Sequence, residues 1–519
     1  MNISIKKTLH MFLVVLTMVA MASCSSRPEN LKLIPKDTNV IVTTNLTSLV
    51  TKGGFKDLSQ FSFYKNFGEE MTKESPMMDK MIKNPFFTGI NYTSDILFFS
   101  VKEEMICISI ELSNGDKFTS FVDEMIAEVG MPLKIEEKDN FKSLTLLGNF
   151  IMAWDDSKAL LSINPGIGTA NLETETSRLF GLKPEEQINS NKEFDSFYDD
   201  QRDINIWVST NIIEQVPGYG MLQNQMPDYI EDNFISMHLG FETDQIIMTT
   251  GLSPNSKMTK EIEKYNIYGN EFNAKLLEYF PKDSYISVSA SMNPEGYYNM
   301  IANQKEFEEA MELMNTEVGF DPSEIMSAFG GSMLFSLHGF KTSEVSQEPI
   351  PLMTFGFDID DASKIDSLIA KLPSEQYKKV DGYFELVLDE DYSAYMIFDD
   401  EIALITNDVS RIDAFKNGGE AGSNFGDSEF ASKTKDNVMY MQMNAKVSDY
   451  PSSVRNMLSS DGSLSNVTYA NNYFTAVEML STSDNKGKYI ITTGDDGTNS
   501  LFKMIKGIDD NIFTLLGAF

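Results

Sequence analysis

Apolar and polar residues alternate along many short segments of this chain, and helical stripes interrupt them. In IPKDTNVIVTTNL, residues 34–46, Val40 and Val42 take alternate positions. In ICISIEL, residues 106–112, large apolar residues again fall on every second position. That period belongs to a strand with one face on the core. Phe118, Phe121, Val122 and Met125 then recur at i, i+3, i+4 and i+7. This spacing predicts an amphipathic helix.

The same pattern occurs a second time. FPKDSYISVSASM, residues 280–292, repeats the Pro-Lys-Asp strand start, with Ile286 and Val288 alternating. Met353-Thr354-Phe355-Gly356-Phe357-Asp358-Ile359 aligns with the segment from Ile106 to Leu112. Ile365, Leu368, Ile369 and Leu372 repeat the helical stripe. Asp116 and Asp361 stand near the two helix starts, where acidic side chains favour the dipole and can cap. Trp154-Asp155-Asp156 aligns with Phe398-Asp399-Asp400, and Ile247 to Gly251 (IMTTG) aligns with Ile490 to Gly494 (IITTG). Matched blocks in one order predict two tandem, internally duplicated halves, residues 33–262 and 279–519, with a connecting segment at 263–278. Short turns between paired strands, without long crossovers, predict a mainly antiparallel sheet with flanking helices in each half, hence an α+β fold. Roughly six to nine strands are expected in each copy. The stretch 411–430, with Gly418, Gly419 and Gly422, reads as a flexible loop. Two copies facing each other would form a cleft or a shared surface.

The N-terminus has a different character. Lys6 and Lys7 precede a run from Leu9 to Ala22 that is apolar except for His10 and Thr17. Spanning a bilayer takes about 20 apolar residues, so the run reads as the h-region of a secretory signal peptide at 1–23. Met21-Ala22-Ser23-Cys24 resembles a bacterial lipobox, which implies cleavage before Cys24 and acylation of its thiol. Residues 24–32 then form a tether. Several acyl chains hold a protein firmly to a membrane. Ser25 lacks the character of an inner-membrane retention signal, and the tether lacks an acidic export run. The expected location is the outer membrane, with the body facing the periplasm and surface display as the alternative.

Charge narrows the partners. Asp plus Glu number 77 against 42 Lys plus Arg, a net charge of −35 over 519 residues. Such a chain is repelled by phosphate backbones, which are bound through Lys and Arg, and nucleic acid is not an expected partner. With Cys24 acylated, Cys107 has no intramolecular partner, and its place in an alternating strand reads as an inert thiol.

The chemistry-bearing residues are scattered. His238 and His338, each flanked by apolar residues, read as strand histidines. No HExxH, G-x-S-x-G, P-loop or dinucleotide fingerprint occurs. The densest acidic groups hold Asp358, Asp360, Asp389 and Asp391. They read first as solvated turns and caps, and then as weak calcium candidates, without the Asp-x-Asp-x-Asp-Gly loop of an EF-hand. No cofactor is expected. Met71, Met77, Met78 and Met81 cluster in one helical-looking stretch, and Met300, Met311 and Met314 follow the second Pro-Lys-Asp strand. Methionine fills irregular cores and also lines adaptable binding surfaces, so these residues are the candidate apolar groove. Two tryptophans argue against an exposed aromatic platform for sugars, leaving tyrosine as the other source.

The IPKDTNVIVTTNL start after a lipobox, the duplicated Pro-Lys-Asp strand and the length resemble the Bacteroidetes lipoproteins known as domain of unknown function 4836. The resemblance implies a cell-envelope lipoprotein and assigns no activity or site residues. Three functional readings stand. The first is a non-catalytic binding, interaction or scaffold module, with an envelope protein as partner. The second is a carrier or sensor of a hydrophobic ligand. The third is a carboxylate-dependent hydrolase.

Overall fold

The alternating segments fold as strands, and every pairing described below is antiparallel. The computed structural model describes residues 27–516 except 66–74, 102–104, 131, 147–148, 165–170, 216–230, 269–270, 303–321, 344–347, 372–376, 388–392, 420–422, 427 and 461–472. The described residues divide into two units, one within 27–47 and 75–196, the other within 48–65 and 197–516. The fold is α+β.

The first unit holds β1 (Val40–Thr44), β2 (Ile96–Val101), β3 (Met105–Glu111), β4 (Glu136–Glu137), β5 (Lys142–Leu146), β6 (Phe150–Trp154) and β7 (Lys158–Ile163). Their order is β1-β2-β3-β7-β6-β5-β4. The helix Gly115–Val129 forms where the apolar stripe predicts it. It buries Phe118 and Val122 against Leu112, Leu144 and Trp154. The Phe118 and Trp154 rings meet edge-on at 5.6 Å, and Trp154 Nε1 donates to Thr119 Oγ1 at 3.0 Å. The cap of this helix is Asn114, which accepts from the Lys117 N–H, while Asp116 sits in the first turn.

The second unit holds β8 (Ile204–Ser209), β9 (Phe234–Glu242), β10 (Gln245–Ser253), β11 (Ile286–Ser291), β12 (Phe329–Thr342), β13 (Pro349–Ile359), β14 (Tyr377–Val380), β15 (Tyr383–Val387), β16 (Ser393–Phe398), β17 (Ile402–Thr406), β18 (Met439–Asn444), β19 (Ala476–Ser481) and β20 (Lys486–Thr492). They run in the order β8-β9-β10-β20-β19-β18-β11-β12-β13-β17-β16-β15-β14. From β11 to β14 the chain follows the same path as from β1 to β4 in the first unit. Residues 33–262 contain β1–β10 and 279–519 contain β11–β20, more strands than alternation alone predicts. The surplus is in short hairpin strands such as β4, too brief to show a period. Asp381 and Gly382, both with positive φ, form the two-residue turn between β14 and β15, the favoured backbone for a tight hairpin.

The helix Ala362–Ala370 buries Ile365 and Ile369 against Phe357, Phe384 and Ala403. Asp361 caps it by accepting from the Ser363 N–H. The stretch 411–430 is not all loop. A helix runs over Val409–Lys416, capped by Asp408, and packs Ile412 and Phe415 among Leu276, Leu277 and Phe280. The glycines mark its end, and the stripe that precedes them is the missed signal. In the centre of the sheet β10 pairs with β20, with Ile247 opposite Ile490.

One buried carboxylate ties the second unit together. Asp203 accepts from Ser48 Oγ at 2.5 Å, Lys52 Nζ at 2.8 Å and the Phe241 N–H at 2.6 Å. It is 3% exposed. Replacing Asp203 with Ala takes this acceptor from the Phe241 N–H and the Ser48 hydroxyl, while Lys52 keeps Glu242 at 3.4 Å. Asp203→Ala is expected to lower unfolding stability by about 1–3 kcal/mol, measured by urea denaturation, and an unchanged midpoint would refute this role.

His238 and His338 lie on strands, the first on β9 and the second on β12. Burial pushes the pKa of each below 6.5; Asp200 opposes this at His238 and Asp408 at His338. As pH falls through 6.5 the unfolded chain therefore takes up protons that the folded chain does not. Stability is full above the unfolded pKa and falls on acidification. Between pH 7 and 5.5 the denaturation midpoint should fall less steeply in a His238→Gln/His338→Gln variant than in the parent chain. Parallel slopes would show that neither imidazole is held neutral.

Candidate functional site

The four strands β9, β10, β20 and β19 form the floor of a cavity of about 360 Å³. Register places its residues in two rows. His238 lies opposite Thr249, Thr249 opposite Lys488, and Lys488 opposite Leu480. The second row runs Ser236, Gly251, Lys486, with Thr482 beside it. Cross-strand partners share a face. Gly251 leaves the middle of the second row without a side chain, since a Cβ there would stand 2.8 Å from Ser236 Oγ. A glycine inside a strand often marks such a close approach. Asp200 and Asn437 complete the rim.

The hydrogen bonds separate occupied groups from available ones. Lys486 Nζ is held by Asp484 at 2.7 Å, and Thr482 Oγ1 donates to the same carboxylate. Among the described residues no ion pair engages Lys488, which is exposed. Thr249 Oγ1 is buried and has no hydrogen-bond partner among them. The Asn205 amide is oriented by two backbone groups: its Oδ1 accepts from the Arg202 N–H at 2.7 Å, and its Nδ2 donates to the Arg202 carbonyl at 3.1 Å. Asn205 Oδ1 lies 3.0 Å from His238 Nδ1, so that nitrogen carries the proton. Burial keeps the ring neutral at pH 7, and Nε2 is left as an acceptor.

A second cavity, of about 260 Å³, lies in the first unit beside Gly115, Thr119 and Trp154. Its polar groups satisfy one another. Thr119 Oγ1 accepts from Trp154 Nε1 and Lys142 Nζ, and Asp155 accepts from the Ser157 and Lys158 N–H groups and from Lys158 Nζ. It offers a ligand less than the sheet cavity does.

One further cluster has the composition of a nucleophilic triad. His338 Nε2 lies 3.1 Å from Thr354 Oγ1, and Nδ1 lies 3.9 Å from Asp408 Oδ2. The geometry does not serve catalysis. Thr354 is fully buried, its hydroxyl is shared with Thr406 at 2.9 Å, and 3.9 Å is too long for the hydrogen bond that orients such a histidine.

The residues singled out by pattern fall in several places. Cys24, Met71, Met311, Met314, Asp389 and Asp391 lie outside the described residues. Met77, Met78 and Met81 sit on the helix Pro76–Lys83 in the first unit, and Met300 sits on Pro294–Ala302 in the second. Asp358, at the end of β13, accepts from the Ser332 N–H at 2.7 Å, and burial raises its pKa. The Asp360 N–H donates to the Ala328 carbonyl. No group of three or more His, Cys, Asp or Glu among the described residues is placed to hold a metal ion. Cys107 is buried, which pushes its thiol up to about 12. Lys488, Thr249 and Gly251 are not among the residues that pattern singles out. The signal that could have found them is the alternating pair Lys486-Gly487-Lys488 in an acidic chain.

Comparison with known proteins adds little chemistry. No curated protein matches the chain. Among solved structures, crystal form III of TP0453 aligns at 9% identity and a TM-score of 0.25, covering 47% of this chain and 89% of that one. Crystal form I of TP0453 aligns at 8% identity and a TM-score of 0.24, covering 47% and 87%. A family model matches residues 30–495, nearly the whole of the folded chain. The chain belongs to the DUF4836 family, a domain of unknown function.

Proposed function

We propose that this protein is a non-catalytic binding lipoprotein of the cell envelope. Acyl chains on Cys24 would tether it to the outer membrane with its body in the periplasm. The observation that carries the binding role is the cavity over β9, β10, β20 and β19. It brings a cation, Lys488, and an imidazole acceptor, His238, to one small space. A concave site with a few convergent polar groups is the common form of a ligand pocket. Catalysis would ask for more. A nucleophile needs a base within hydrogen-bond reach, and among the described residues no hydroxyl of this cavity is hydrogen-bonded to His238. No described helix is long and apolar enough to cross a membrane, which is consistent with a lipid tether. The equal strand orders of β1–β7 and β11–β17 support an origin of the fold by duplication.

Two measurements test this reading. Cys24→Ala is expected to move the protein from the membrane to the soluble fraction and to remove the acyl mass; a variant that stays membrane-bound would refute the anchor. Native mass spectrometry of the full chain in mild detergent should show a retained small molecule that Gly251→Val expels. A bare mass, or turnover of an envelope substrate that survives Gly251→Val, would overturn the binding role.

A further inference from the structure

The groups around the sheet cavity restrict what can fill it. Lys488 supplies a positive charge that no described acid neutralises. Thr249, its neighbour on β10, lines the floor between the two ends, and its hydroxyl oxygen is buried away from the cavity's solvent. One strand further, His238 has Nδ1 committed to Asn205. Its Nε2 can only accept while the ring is neutral. The three residues stand in one row across adjacent strands, and His238 and Lys488 are two strand spacings apart, roughly 9.5 Å. The row thus reads as a cation at one end and an acceptor at the other. A ligand complementary to it carries an anionic group at one end and a hydroxyl donor at the other. The cavity of about 360 Å³ is at the small end of ligand pockets, which run from about 300 Å³ upward. That size fits one small molecule rather than a polymer. Leu480 supplies the apolar contact beside Lys488.

We infer that the cavity binds a small hydroxylated anion, a carboxylate or phosphate on a polyol chain, with Lys488 on the charge and His238 Nε2 accepting from a hydroxyl. This rests on the binding role proposed above and names its ligand class. Thr249 spaces the two ends, and Gly251 keeps the floor open.

Titration calorimetry on the full chain in mild detergent tests it, with sodium gluconate and glucose 6-phosphate as probes. Sorbitol, which lacks the charge, and hexanoate, which lacks the hydroxyls, are the controls. At least one of the two anions should bind saturably at one site, and both controls about tenfold more weakly or not at all. Lys488→Met should weaken the anion by about tenfold or more. This residue is exposed, so the substitution leaves the core intact. Lys36→Met, on an exposed residue of the first unit, should leave anion binding unchanged. Absence of binding by both anions overturns the inference, as does equal binding by Lys488→Met or by either control. An uncharged molecule seen in the native mass spectrum and expelled by Gly251→Val overturns the ligand class alone. A bare native mass with no heat from any probe overturns the binding role as well.

Discussion

The second unit depends on one backbone ladder, the antiparallel pairing of β10 with β20. It runs from Gln245 opposite Thr492 to Gly251 opposite Lys486. Without it the sheet would break into two pieces, each with an open edge of unpaired N–H and C=O groups. Such edges template aggregation and must be paired or blocked. The ladder joins segments far apart in the chain, but closure entropy rises only with the logarithm of loop length. Both ends of the ladder are fastened. At one, the Asp244 N–H donates to the Thr498 carbonyl and the Thr493 N–H to the Asp244 carbonyl. At the other, the Leu252 N–H donates to the Asn485 carbonyl. Asp244 and Asn485 both occupy hairpin turns with positive φ, so matching turns clamp opposite ends of the same pairing.

The two ends then diverge in chemistry. Near Gln245 and Thr492 the chain fills the space itself. Lys503 Nζ reaches Asp244 at 2.7 Å and Asp496 at 2.8 Å, closing that end with a local ion-pair group. Near Gly251 and Lys486 no described segment closes the ladder in this way, and the cavity lies there. If the halves arose by duplication, a contact that began symmetric has been closed on one side and left open on the other. The site is therefore a product of the seam: Lys488 and Thr249 meet only because β20 lies against β10 in this register. A shift of one residue would send both side chains to opposite faces.

This explains what could be read from the chain and what could not. Strands such as ICISIEL were legible because one face meets the core: Cys107 is buried on β3 while Ile106 is exposed. The stripes at Phe118 and Ile365 were legible because a helix on a sheet needs one apolar face. Caps were partly legible. Asp361 caps its helix, whereas Asn114 takes the role expected near Asp116. The helix Val409–Lys416 was hidden by the glycines that follow it. The sheet cavity was illegible for a different reason. Its residues come from segments more than two hundred positions apart, and nothing in IMTTG or KGKYI specifies that they pair. Methionine clustering was a weaker guide, since Met77 and Met300 fall in different units.

A net charge of −35 does not conflict with an anion site. Charges more than about 8 Å apart are largely screened at physiological ionic strength. A small ligand in the cavity therefore responds to its immediate neighbours. There Asp484 is occupied by Lys486, and Asp200 stands at the rim, while Lys488 remains available. A polyanion is in a different position. It must lie along a surface on which acidic residues outnumber basic ones, and it meets repulsion over its whole length. The same charge distribution thus discriminates by size, admitting one localised negative group and turning away a chain of them.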